Sequence, residues 1–327
     1  MLSRTADHLF WLARYMERAE NTARMLDVNY QTSLLPQTAA VAERDWRGLL
    51  SISELTDDYE TRYGAVEAQQ VQDFMVRDER NPSSILSCLR GARENARAMR
   101  GTLTTEVWET TNQTWLEFKR LIADGLLARD PSALCEWVKF RSHLSRGVAA
   151  GTMLQDEAFN FMRIGTFLER ADNTARLLDV KFQVNVVSAE SKAEERGSNG
   201  QAHASSGARD FYHWSAVLRS VSGFEIYRKV YSNVILPEKV AELLILRTDM
   251  PRALAHCTGH LLTNLKRVAN DQSADTLRQA GRIHAGLEYG RIDDIMGLGL
   301  HVFLNQFLDH IGKLGMGISR DFLVPAT

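Results

Sequence analysis

Apolar residues in this chain recur at steps of three and four. Leu9, Leu12, Met16, Ala19, Ala23, Leu26 and Tyr30 form one series, and Phe161, Ile164, Leu168, Ala171, Ala175, Leu178 and Phe182 form another. Each predicts a continuous stripe on a helix of about eight turns. The paired alanines leave room for a second helix to approach closely. Beside the first stripe, within about a third of the circumference, lie Glu17, Glu20, Asn21, Arg24, Asp27 and Gln31. The second helix carries Glu169, Asp172, Asn173, Arg176, Asp179 and Gln183 in the same places.

The two stretches are copies. Residues 17–31 read ERAENTARMLDVNYQ and residues 169–183 read ERADNTARLLDVKFQ, identical at eleven of fifteen positions. Unrelated segments of ordinary composition agree at roughly one position in twenty, so this is an internal duplication. A merely solvated face drifts after duplication, because surface changes usually cost within about ±0.5 kcal/mol. Here the polar stripe is held at least as closely as the apolar one. Two readings follow. One is a structural network of ion pairs such as Glu20 with Arg24, four residues apart. The other is a polar site for a ligand or partner, drawing on Glu17, Arg18, Glu20, Asn21 and Arg24 and on Glu169, Arg170, Asp172, Asn173 and Arg176.

Start and stop signals divide the remainder. Ser3 or Thr5 is expected to cap the first helix, with Asp7 near its positive end. Shorter helices are predicted over 46–59 and 66–76. Asn81-Pro82-Ser83-Ser84 opens a helix over 83–100, Gly101 breaks it, and Thr104 or Thr105 caps a helix over 106–127. Asp130-Pro131 starts another, to about residue 149, and the second long helix is expected over 154–186. Residues 188–209 lack any large apolar residue and predict a flexible loop. Further helices follow over 211–230, from Pro237, after a start at Met250-Pro251 that repeats Pro82, and twice within 275–322, where Ile295, Leu298, Val302, Asn305, Leu308 and His310 share a pattern poor in charge. Pro251, Cys257 and Asn264 repeat Pro82, Cys88 and Asn95 at an offset of 169, and Trp214 echoes Trp46. The expected architecture is all-α: a duplicated helical bundle of two pseudo-repeats, 1–150 and 151–327.

Composition narrows the function classes. The 327 residues include 44 % hydrophobic and 24 % charged side chains, typical of a soluble globular protein, and only six prolines. A net charge of −2 gives no footprint for nucleic acid or an anionic membrane. No run of about 18 apolar residues predicts a membrane span. Three scattered cysteines, none in a CxxC pair, suggest reduced thiols and a cytoplasmic setting.

A second polar constellation is Arg93, Glu94, Asn95, Arg97 and Arg100, followed by Glu106 and Glu109. Arg93, Arg97 and Arg100 share a helix face. A tight connection at Gly101 would fold the two acids back toward them, giving either an ion-pair network between helices or a seat for a phosphate or carboxylate. His256 and His260 are spaced to share a metal, but no acidic third ligand is placed by spacing and paired Glu-x-x-His motifs are absent, so neither metal nor cofactor is expected. No G-x-S-x-G, P-loop or cysteine-nucleophile signature occurs.

Several of these segments resemble the bacterial alpha-E domain family, an all-helical family named for a Glu-Arg motif. They are the opening Met1-Leu2-Ser3-Arg4, then Arg14 to Asn21, Ala92 to Arg97 with Glu106 to Glu109, and Gly151 to Leu154 leading into Phe167 to Asp172. The likeness runs from Met1 to about Leu308. It implies, from genomic setting, partnership with circularly permuted ATP-grasp ligases and transglutaminase-like proteases in making or modifying a peptide or amide. The expected role is therefore an auxiliary or binding protein in that chemistry. The alternatives are a metal-independent enzyme acting alone on a peptide or amide, and a purely structural interaction bundle.

Overall fold

A computed structural model describes residues 1–195 and 203–323 and is all-helical, with no strand among the described residues. The helices are α1 (Ser3–Ser33), α2 (Ala39–Ile52), α3 (Thr56–Tyr63), α4 (Ala68–Val76), α5 (Ile85–Ala98), α6 (Thr105–Ala123), α7 (Leu126–Arg129), α8 (Pro131–Thr152), α9 (Glu157–Glu195), α10 (His203–Ser220), α11 (Phe224–Tyr231), α12 (Pro237–Ile245), α13 (Leu254–Arg267), α14 (Ala274–Glu288), α15 (Ile292–Leu298) and α16 (Leu300–Phe322).

The two apolar stripes bury as the spacing predicts. Leu9, Leu12, Met16, Ala19, Ala23 and Leu26 of α1 are buried, as are Phe161, Ile164, Leu168, Ala171, Ala175 and Leu178 of α9. Tyr30 and Phe182 pack at the margin. α1 makes its most extensive contact with α9, so the stripes form the centre of the molecule. Near one end the helices touch backbone to backbone: a Cβ added at Gly165 would lie 2.3 Å from the carbonyl oxygen of Phe10. α5 and α8 pack on α1, and α13 and α16 on α9. α2 reaches across to α9 and α10 across to α1.

Local signals place several helix starts. The side chains of Thr104, Ser84 and Asp130 accept from the backbone N–H of Val107, Ser87 and Ala133, and Pro131 and Pro237 occupy first-turn positions. Other expectations need correction. α1 begins at Ser3 with Leu2 as its cap, so neither Ser3 nor Thr5 caps it and Asp7 lies beyond the first turn. The 46–59 segment splits into α2 and α3 around Glu54, whose φ is 55°. The 211–230 segment splits in the same way at Ser222, φ 53°. Gly125 (φ 74°) ends the helix expected to reach 127. α9 starts at Glu157, three residues later than expected, where Asp156 accepts from the N–H of Ala158 at 2.9 Å.

The loop expected over 188–209 is helical at both ends, to Glu195 and from His203; residues 196–202 lie outside the described residues. Ala189, Glu190, Lys192 and Ala193 are good helix formers, and they extend a helix already nucleated upstream. The 275–322 tail holds three helices, not two, because Gly299 (φ 95°) breaks it. That break resets the helical phase. α16 buries Leu300, Leu304, Phe307, Ile311, Leu314 and Ile318, and leaves Val302, Asn305 and His310 exposed.

Candidate functional site

The polar stripe of α1 is interior. Glu17, Glu20, Asn21, Arg24 and Asp27 are buried, and Gln31 alone is exposed. Burial of carboxylates demands counter-charges, and these come from far along the chain. Glu17 takes a two-pronged contact from Arg170 of α9, at 2.8 Å from Nε and 2.9 Å from Nη2. Arg146 of α8 and Arg252, just before α13, add contacts at 3.0 and 3.1 Å. Glu20 binds Arg24 at 2.7 Å, Arg252 at 2.6 Å, Arg146 at 2.5 Å and the Ser142 hydroxyl at 2.8 Å. Arg252 also donates to Asn21 Oδ1 at 2.6 Å, and Arg24 to Ser222 Oγ at 2.5 Å.

The electrostatics follow from this geometry. Burial alone would push the Glu17 carboxyl up, but Arg170, Arg252 and Arg146 hold it down at about 2. Glu20 is likewise held well below the usual carboxylate range, burial being outweighed by Arg252, Arg146 and Arg24. Both are carboxylates throughout the physiological range. His143, beside Arg24 (3.2 Å) and Arg146 (2.7 Å), is pushed below its ordinary value chiefly by burial; Glu20 opposes this, and Arg146, Arg24 and Arg252 each push with burial.

The second copy completes a reciprocal arrangement. Glu169 of α9 receives Arg18 of α1 at 2.6 and 3.1 Å, and Arg14 at 2.8 Å. Each helix therefore offers the dipeptide Glu-Arg, and each glutamate is clasped by the arginine of the other helix: Glu17 by Arg170, Glu169 by Arg18. Beyond this crossing the copies diverge. Asp172, Asn173 and Arg176 are only half-buried. Arg176 binds Asp172 at 2.8 Å and also pairs with Glu54. Asn173 donates to the sulfur of Met25. Asp27 binds Lys139 at 2.8 Å and Ser132 at 2.5 Å, whereas Asp179 binds His301 at 2.7 Å.

The second constellation is a local surface feature. Arg93 donates to Asn112 Oδ1 at 2.9 Å and to Glu94 at 2.6 Å, and Arg97 shares Glu94 at 2.9 Å. Asn95 donates to the Gly91 carbonyl at 2.8 Å and accepts from His8 at 2.7 Å. Arg100 lies over the Trp108 ring at 4.8 Å. Contrary to expectation, Glu106 and Glu109 do not fold back to the arginines: both are exposed, with no ion pair among the described residues. α6 presents Asn112 to Arg93 of α5 and Trp108, four residues earlier on the same face, to Arg100, and this turns the two acids outward.

The spacing of the long helices did not reveal Ser142, His143, Arg146 or Arg252. A signal existed on α8, where Ser132, Lys139, Ser142 and Arg146 recur at helical spacing on the face toward α1. Arg252 stands inside the repeated helix start, where its counterpart at the 169 offset is Ser83. His256 and His260 have ring centroids 4.5 Å apart, but Nδ1 of His256 donates to the Thr248 carbonyl and His260 stacks on Phe167 at 4.7 Å. No group of three or more His, Cys, Asp or Glu suited to a metal occurs among the described residues. Nor is any helix among them long and apolar enough to cross a membrane.

Fold and site define an all-helical protein closed at its centre by two crossed Glu-Arg pairs. The chain belongs to the Alpha-E family, described as a predicted alpha-helical domain with a conserved ER motif, whose model matches residues 1–323. It is similar to the uncharacterized proteins Mb2597 of Mycobacterium bovis and MT2643 of Mycobacterium tuberculosis. Each is 27 % identical over 285 residues, covering 80 % of this chain and 29 % of the relative. Uncharacterized protein Rv2567 of Mycobacterium tuberculosis is 26 % identical over the same length. The chain thus spans less than a third of the length of these curated relatives. No solved structure matches it.

Proposed function

We propose that this chain is an auxiliary or binding protein in peptide or amide-bond synthesis or modification. It acts with a circularly permuted ATP-grasp ligase, and in some settings with a transglutaminase-like protease. The observation that carries this reading is the fate of the reactive groups. The carboxylates of the central stripes are consumed by internal guanidiniums, so they offer no acid or base at neutral pH. Cys88 and Cys257 are buried and pushed up to about 12 by burial, so neither supplies a thiolate. This weighs against an enzyme acting alone. The relatives carry this region within a much longer chain, in keeping with a unit that works beside other domains. Three unpaired cysteines favour a cytoplasmic setting.

The duplication is read as extending through the whole chain. α5 and α13 are both 14 residues long. Tyr59 and Tyr227 each hold the following loop by the hydroxyl, accepting from the N–H of Glu67 at 3.4 Å and Leu236 at 2.9 Å. The boundary of the two pseudo-repeats is placed near Gly151. The buried stripe members Glu17, Glu20, Glu169 and Arg170 then set the architecture. The exposed Arg97, Arg100, Glu106 and Glu109, with half-buried Glu94 paired to Arg97, form the partner-facing surface.

The test is co-expression of tagged protein with its neighbouring ATP-grasp protein, followed by a sizing column. Co-elution is expected, and Arg97→Ala with Arg100→Ala is expected to weaken the complex without changing Tm. Separate elution at micromolar concentration would end the auxiliary reading.

A further inference from the structure

A cleft opens among α1, α8 and α9 beside the buried cluster, enclosing about 480 Å³ with its open mouth included. Leu12, Met16, Phe159 and Met162 give it apolar walls, and Arg146 and Arg163 line it as cations. The four guanidiniums of Arg24, Arg146, Arg170 and Arg252 already outnumber the two carboxylates, Glu17 and Glu20, that they serve. Arg163 adds a further positive charge and has no carboxylate of its own: among the described residues it makes no ion pair. It rests on the Phe167 ring at 4.5 Å. Burial pushes its guanidinium below the ordinary value, and the like charges of Arg170 and Arg146 push it the same way. A partly buried cation facing two others without a counter-ion is costly unless an anion joins it.

We infer that this cleft binds a carboxylate bearing an apolar chain, with the carboxylate on Arg163 and Arg146 and the chain along Leu12, Met16, Phe159 and Met162. A guanidinium fork matches a planar carboxylate with two parallel hydrogen bonds. Glu17, which also lines the cleft, is already neutralised by its three arginines. It still disfavours a second negative charge, so a monoanion fits better than inorganic phosphate. The ligand is either a free aliphatic acid or the C-terminus of a peptide ending in an apolar residue. The inference concerns the cleft alone and is independent of the ligase partnership.

The test is calorimetric titration of the intact protein with hexanoate, acetate, hexanamide, inorganic phosphate and a tripeptide ending in leucine. Hexanoate is expected to bind at least about tenfold more tightly than acetate, because each buried methylene adds to affinity. Hexanamide and phosphate are expected to bind at least about tenfold more weakly than hexanoate. Tripeptide binding tighter than hexanoate would identify a peptide end as the source, and the reverse order a free acid. Arg163→Gln should abolish hexanoate binding while raising the Tm of the unliganded protein, since it removes an uncompensated cation; Arg163→Lys should retain weakened binding. The inference is overturned if hexanamide or phosphate matches hexanoate, if no acid binds, or if folded Arg163→Gln binds hexanoate unchanged.

Discussion

Glu20 and Asp172 occupy the same position in the two copies, yet they live differently. Glu20 is fully buried and touches three arginines and a serine. Asp172 is half-buried and, with Arg176, forms an ordinary pair one turn apart. What separates them is not the stripe itself but what the neighbouring helices bring to it. On the α1 side, α8 contributes Ser142, His143 and Arg146, and the start of α13 contributes Arg252. Around Asp172 the described residues bring only Arg176, which also pairs with Glu54. The crossed Glu-Arg pairs occur on both sides and hold the centre together. The elaboration occurs on one side and creates the cation-rich cleft.

The contrast can be tested directly by Glu20→Ala and Asp172→Ala. The first leaves buried Arg252 and Arg24 short of a counter-charge and is expected to cost about 3–5 kcal/mol in urea unfolding. The second removes a partly solvated pair and is expected to cost about 1 kcal/mol or less. Equal losses would erase the distinction. Gly165→Ala probes the contact both sides share. Its new Cβ would meet the Phe10 carbonyl, so a loss of about 1–3 kcal/mol is expected, read as a lowered Tm.

Acid titration sharpens the comparison further. His213 donates to the Lys181 carbonyl, and its pKa is lowered to about 4 by burial and the nearby Lys181 charge. It is neutral when folded, and the unfolded chain takes up the proton first. Its contribution is therefore fully present above the ordinary histidine value and is lost as pH falls toward about 4, at up to about 1.4 kcal/mol per pH unit. Glu17, depressed to about 2, extends the loss from the ordinary carboxylate range down to that value. His213→Gln should flatten the upper part of the curve alone. The smallest effect is expected from Arg97→Ala, whose exposed pair with Glu94 contributes within about 0.5 kcal/mol of stability.

The apolar stripes were legible because their partners are set by helical period alone, and Leu9 through Leu26 bury as spaced. Whether Glu17 and Glu20 were wet or buried was not legible, because that depends on Arg146, Arg170 and Arg252, which approach from elements more than 120 residues away. Helix breaks at Glu54 and Ser222 were missed for a related reason. Neither is a glycine, and each left-handed residue is paired with an arginine of the distant long helix, Arg176 and Arg24 respectively. The fold-back of Glu106 and Glu109 toward Arg93, Arg97 and Arg100, expected from a tight connection at Gly101, is not permitted by the orientation of α6.

The reciprocal clasp also bears on how the chain comes off the ribosome. Glu17 is made 153 residues before Arg170, and 235 before Arg252. Throughout that interval Glu20 has Arg24 and, once α8 is made, both acids have Arg146. The two-pronged clasp of Glu17 by Arg170 and the Arg252 contacts are still missing, so the centre cannot close fully over them. Closure of the centre is a late, long-range event with a large loop-closure cost. A chain stopped near Gly151 would emerge with α5 and α8 to pack on α1 but without α9, leaving the part of the apolar stripe that faces α9 uncovered and exposed to chaperones.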